Sequence, residues 1–200
     1  MIKKSILSAL ILSSLVTLSS LADAATDKAA LLDKIRKQSS NYSEFKELLN
    51  SPEQSLRFSA FDAMVNSGDA TLREMAIDEA LAYPDATLQA VAFREVIMSF
   101  DTITFDISAP ENADEQTKKE VSAMGGTDQY RLEKKNIKTG TIGKCRYKCK
   151  GQVSGLTLTL ATDSSSNECQ LNASLEDGTS LIGELRCPDM MPMKASTRLR

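Results

Sequence analysis

Between residues 55 and 97 one apolar pattern occurs three times, each copy displaced by 16 residues from the last. Leu56, Leu72 and Leu88 open the copies. Ala60/Ala76/Ala92, Phe61/Ile77/Phe93, Met64/Ala80/Val96 and Val65/Leu81/Ile97 follow. The spacing i, i+4, i+5, i+8, i+9 forms a single stripe on a helix. The pattern therefore predicts three helices of about three turns each, joined by short turns. Ser67-Gly68-Asp69 and Tyr83-Pro84-Asp85 mark those turns, since Gly readily ends a helix and Pro cannot continue one. Thr71 and Glu74 have the spacing of a capping box. Upstream, residues 27–38 and 42–50 predict two further helices, with Phe45, Leu48 and Leu49 at the repeat places of Phe61, Met64 and Val65. Residues 25–100 thus read as a helical repeat domain, an α-solenoid-like stack of short antiparallel helices.

After Phe100 the period falls to two. Ile103, Phe105 and Ile107 alternate with Thr102, Thr104 and Asp106, a strand pattern. Residues 109–126 are polar and read as an insertion or linker, or as a short helix with Ala113, Thr117, Val121 and Met124 on one face, closed by Gly125-Gly126. Leu156, Leu158 and Leu160, then Cys169, Leu171, Ala173 and Leu175, then Leu181, Gly183, Leu185 and Cys187, keep the alternation. The Asp177-Gly178 pair is a hairpin turn signal. The fold class expected is α+β: helices first, then a small disulfide-stapled antiparallel β domain at 101–187. Pro188–Arg200 shows no pattern and is expected to be a disordered tail.

The repeat residues Leu56-Arg57, Ala60, Ala63-Met64, Gly68-Asp69, Leu72-Arg73, Ala76-Ile77, Ala80-Leu81 and Pro84-Asp85 make the stretch of about residues 40–98 resemble HEAT-like repeats. The resemblance implies a protein-binding role through a concave face.

The first 24 residues read as a secretory signal peptide. Lys3 and Lys4 form a charged start, Ile6–Leu18 an apolar run, and Ala22-Asp23-Ala24 a small-x-small cleavage site. The run is short for a bilayer span, so no stable membrane insertion is expected. Localisation is expected to be periplasmic or secreted. Cleavage would remove two lysines and one aspartate, taking the formal net charge from −3 to −4.

All four cysteines, Cys145, Cys149, Cys169 and Cys187, fall in the exported part and imply two disulfides in one of three pairings. Leu175 facing Leu181 across the Asp-Gly turn would set Cys169 against Cys187. Cys145 would then join Cys149, which needs a tight turn at Arg146-Tyr147-Lys148. In the alternatives, Cys145 and Cys149 bridge separately to Cys169 and Cys187. A four-thiolate zinc site lacks the paired C-x2-C spacing.

The chain has no His, which removes the usual general base near neutral pH and the commonest metal ligand. It carries no Ser-His or Cys-His pair and no Gly-rich phosphate loop in strand-loop-helix context. No enzyme and no cofactor are expected. Charge is uneven: Glu44–Asp85 holds nine acids and three bases, whereas Arg131–Lys150 holds eight bases and one acid. Lys144, Arg146, Lys148 and Lys150 share one strand parity and would form a cationic ridge if extended. They are the candidate contact residues, for an unidentified protein partner or an anionic envelope component such as lipopolysaccharide or phospholipid. Without such a role they would serve as an edge strand guarded by Lys. Nucleic acid is not expected, given export and the single aromatic, Tyr147, in the basic run. Met190, Met191 and Met193 would make a soft Cu(I) site if the tail were a copper carrier. The function expected is non-catalytic protein binding in the periplasm, as an inhibitor, an immunity-type protein or an accessory subunit of an envelope or secretion complex.

Overall fold

The computed structural model describes residues 20–145, 149–162 and 169–199. Helix α1 (Ser20–Leu49) is a single element where the apolar pattern predicts two. Ser39, Ser40 and Asn41 are only moderate helix formers, but neither Gly nor Pro stands between Gln38 and Tyr42 to break the hydrogen-bond ladder. Residues up to Glu44 form one unit and Phe45–Arg200 a second. In the first unit, Leu31, Leu32 and Ile35 are 57%, 44% and 50% exposed. One turn apart, Asp33 and Lys37 pair at 3.9 Å. Residues 1–19 of the expected signal peptide lie outside the described residues, and Ala22-Asp23-Ala24 falls within α1.

In the second unit, α2 (Gln54–Val65), α3 (Ala70–Ala82) and α4 (Ala86–Ser99) begin at the 16-residue spacing read from the sequence. Their stripe is buried from Ala60 to Ile97 except for the half-buried Val65 and Leu72, and Leu56 stands exposed. Helix α3 packs against both α2 and α4. The caps differ from expectation. Asp69, not Thr71, caps α3, accepting from the Thr71 and Leu72 amides at 2.8 and 3.2 Å. Asp85 does the same for α4, accepting from Thr87 and Leu88 at 3.0 and 3.1 Å. An Asp at the N-cap satisfies orphan amides and meets the positive end of the helix. Asp85 also pairs with the buried Arg57, which donates to the carbonyls of Ser51 and Pro52 and lies over the Tyr83 ring.

The β residues close into an eight-stranded antiparallel barrel in simple up-and-down order. Its strands are β1 (Thr102–Ser108), β2 (Thr127–Asn136), β3 (Thr141–Cys145), β4 (Cys149–Ser154), β5 (Thr157–Thr162), β6 (Gln170–Glu176), β7 (Ser180–Arg186) and β8 (Met193–Arg198). Alternate residues point inward. Ile103, Phe105, Tyr130, Leu158, Leu160, Leu171 and Leu185 are among those buried. Eight strands leave an interior just wide enough for side chains.

The expected tail at 188–200 is corrected: β8 pairs with β7 from Leu185↔Met193 to Ser180↔Arg198 and with β1 from Ser108↔Lys194 to Asp106↔Ser196. An open sheet would expose the edges of β1 and β7, and this last strand removes both. The expected division at residue 100 is also corrected. Helices α2–α4 and the barrel belong to one compact unit and contribute to one continuous hydrophobic core. Arg94 donates to the carbonyls of Ile137 and Lys138, and Lys135 Nζ donates to the Phe100 carbonyl at 2.8 Å, tying the two layers together.

Candidate functional site

Strand direction sorts the barrel into two ends. β1 runs away from α4, so the β2–β3, β4–β5 and β6–β7 turns lie at the helix-layer end. The β1–β2, β3–β4, β5–β6 and β7–β8 connections lie at the opposite end. That opposite end carries α5 (Glu115–Ala123), where the sequence left a linker or short helix open. Asp114 caps it, accepting from the Thr117 amide at 2.7 Å. Thr117 is fully buried, and its Oγ1 accepts from the Met191 amide at 3.1 Å. Nearby inside the barrel, the buried Tyr130 hydroxyl donates to Asp128 Oδ2 at 2.7 Å, and the Tyr130 ring meets Phe105 edge-on.

Both disulfides sit at the α5 end. The register pairs Leu175 with Leu181, and Cys169 is bonded to Cys187. Cys145 is bonded to Cys149 across the β3–β4 pair. The strand carrying Lys144 ends at Cys145, and the strand carrying Lys150 begins at Cys149 and runs antiparallel to it. Lys144 lies on β3 and Lys150 on β4, flanking buried Cys145 and Cys149. Arg146 and Lys148 lie outside the described residues. Lys144 Nζ pairs with Glu133 at 2.9 Å, which holds that carboxyl below its usual range. The explanation of the cations as edge protection also falls, because a closed barrel has no edge. The Met cluster is not a floppy clamp either: Met193 is fully buried and faces the barrel core from β8.

At the helix-layer end lies a cleft of about 440 Å³ that the sequence reading missed. Asp78, Leu81 and Ala82 of α3 and Gln89 of α4 form one wall. Leu156, Leu175 and the Asp177-Gly178-Thr179 turn form the other. The turn is the one the Asp-Gly signal predicts. Asp177 and Gly178 have φ of 52° and 66°, and the Thr179 amide donates to the Glu176 carbonyl. Both residues of such a hairpin turn need positive φ, which Asp tolerates and Gly adopts freely. Gln89 Nε2 donates to the Leu81 carbonyl at 3.0 Å and fastens α4 to the end of α3. Leu81, Leu156 and Leu175 supply an apolar lining, and Asp78 and Asp177 its charge. The cleft also opens beside the C-terminal end of α3, where the helix dipole is negative. Among the described residues, no Lys or Arg lines it.

Sequence patterning had no means of finding this cleft, because its walls come from two helices and two hairpin turns distant in the chain. The Asp177-Gly178 signal was legible, but only as a turn. Compared with protein-family models, with curated proteins and with solved structures, the chain matches none.

Proposed function

We propose that this protein is a non-catalytic protein-binding module of the periplasm or the extracellular space. In that role it neutralises an exported toxin or hydrolase, or serves as an accessory subunit of an envelope or secretion complex. The observation that carries the reading is the apolar stripe of α1. Leu31, Leu32 and Ile35 lie within two helical turns, and each is about half exposed. Clustered exposed aliphatic side chains of this kind mark interaction surfaces. The packed barrel interior, covered at both ends, leaves the outer surfaces for contact. The two disulfides suit an oxidising compartment. The HEAT-like spacing of α2–α4 supports the same role.

The test is capture from an envelope extract by immobilised, oxidised protein comprising residues 25–200. It is run beside a Leu31→Asp/Leu32→Asp/Ile35→Asp variant. The expected result is one stoichiometric protein retained at high salt by the natural sequence and lost by the variant. Equal retention by both would refute the role of the stripe.

A second reading is favoured by one observation: the cations around Cys145–Cys149 have no edge to protect. In that reading Lys144, Arg146, Lys148 and Lys150 bind an anionic envelope component. Its signature is vesicle or lipopolysaccharide binding that falls steeply with salt and disappears when all four charges are reversed. Salt-independent binding would set it aside.

A further inference from the structure

We propose that residues 30–41 of α1 are the guest in a helix-binding groove of the partner protein, and that this groove has an apolar floor with carboxylates along both rims. That the partner is a protein rests on the reading above; the chemistry of its groove follows from α1 itself.

The side chains of this segment are arranged in order around the helix. At about 100° per residue, Ile35 falls between Leu31 and Leu32 on one apolar arc. Lys34 stands about 60° beyond Leu31 on one side of that arc. Arg36 stands about 40° beyond Leu32 on the other side. Asp33 and Lys37 pair with each other on the opposite face. The contact face is therefore apolar along its middle and cationic on both flanks. Residues 30–37 and 39–41 are all exposed, so the flanks are as open to contact as the arc. Aliphatic side chains are best covered by an apolar floor, and cations on both flanks by carboxylates at the groove's edges. An amphipathic helix laid into an apolar groove is a recurring mode of recognition, and the arc supplies its anchors.

Two other occupants fit less well. A second copy of the chain would set cation against cation. In a parallel pair the Lys34 flank meets the Arg36 flank of the other copy, and in an antiparallel pair each cation meets its own kind. Three half-exposed aliphatic side chains also fall well short of the roughly 800 Å² that each side of a stable contact buries. A groove that takes in the flanks covers more. A lipid bilayer would gain little: the three side chains together hold fewer carbons than one myristoyl chain, which alone gives only marginal binding.

The experiment exposes the oxidised protein comprising residues 25–200 to envelope extract and a water-soluble carbodiimide, which joins a lysine amine to a touching carboxylate without a spacer. Mass spectrometry locates the links. The expected result is Lys34 joined to an Asp or Glu of one retained protein, with Lys37 not joined to it. The Lys34→Gln/Arg36→Gln variant keeps good helix formers in place. It should leave circular dichroism unchanged, weaken capture of that protein by about tenfold, and lessen the effect of salt on it. Mixed light and heavy isotopic protein, and vesicles of phosphatidylglycerol and phosphatidylcholine in equal parts, are run alongside. Lys34 links between light and heavy copies would overturn the proposal in favour of self-association. Sedimentation with the vesicles that depends on Lys34 and Arg36, without a link to any protein, would overturn it in favour of lipid. Capture unchanged in the variant would also overturn it. The outcome is separable from the reading it rests on. If capture depends on Leu31, Leu32 and Ile35 but not on Lys34 and Arg36, the acid-rimmed groove falls and the protein-binding reading stands. If the natural sequence retains no protein, both fall.

Discussion

Replacing Met193 tests whether the C-terminal residues are a strand of the barrel or a loose extension. Met193 is fully buried, opposite Leu185 on β7. Truncation to Ala removes three heavy atoms from a packed interior that has little freedom to collapse. Large-to-small changes at such sites cost about 2–5 kcal/mol, the sum of lost transfer energy and the cavity left behind. For a chain of this size each kcal/mol lowers the melting temperature by about 2–4 °C, so Met193→Ala should lower it by about 4–20 °C. Met191 is only partly buried and lies before the ladder begins, so Met191→Ala should change stability by less than about 1 kcal/mol. The measurement is urea unfolding of both variants under oxidising conditions, followed by circular dichroism, with thermal melts alongside. Equal small effects at 191 and 193 would refute the assignment of β8 and, with it, barrel closure.

Other positions give equally direct outcomes. A Cβ at Gly183 would stand 1.9 Å from the Asn172 carbonyl oxygen and 2.6 Å from the Ala173 Cα, both backbone atoms. Gly183→Ala should therefore cost more than about 2 kcal/mol in urea unfolding, and a neutral result would contradict the close β6–β7 approach. In the chain-entropy account, opening Cys169–Cys187, with its separation of 18, should cost about 3 kcal/mol. Opening Cys145–Cys149, with a separation of 4, should cost about 2 kcal/mol. Paired Cys→Ser variants check the order, and a larger loss at 145–149 would contradict it. Acid should weaken the fold. Lys46 beside Glu79, Arg57 beside Asp85, the Thr117 amide at Asp114 and Lys144 beside Glu133 hold these carboxyls below their usual values. The unfolded chain then binds more protons than the folded one as these groups titrate. Their contribution is complete above the ordinary carboxylate range and is lost as pH falls through it towards the folded values. Urea midpoints measured from neutral to acid pH should decline below about pH 4.5, and a rise on acidification would contradict these pairings.

Much of the fold was legible because burial imposes local periods. The 16-residue repeat located α2, α3 and α4, and the period-two runs located β1, β5, β6 and β7. The Asp177-Gly178 turn fixed a register in which Leu175 meets Leu181 and Cys169 meets Cys187. α1 was divided because the apolar pattern is interrupted between residues 38 and 42, where no residue forbids the helix. β8 was overlooked because Pro188, Pro192 and three methionines obscured a short alternation: Met193, Ala195 and Thr197 against Lys194, Ser196 and Arg198. The cationic residues 144–150 had the parity of a straight strand, whereas the bond between Cys145 and Cys149 turns the chain back on itself.

By itself, then, the sequence determined which residues turn inward, where the chain reverses, and the even set of thiols in a chain without His. Only the tertiary structure decided what those inward faces meet. Asp106 pairs with Ser196 to close the barrel, and Asp78 comes to share a cleft with Asp177. Amphipathic periodicity is a local property of a few turns or one strand. Barrel closure and cleft assembly depend on contacts between segments about a hundred residues apart, whose partners no local pattern specifies.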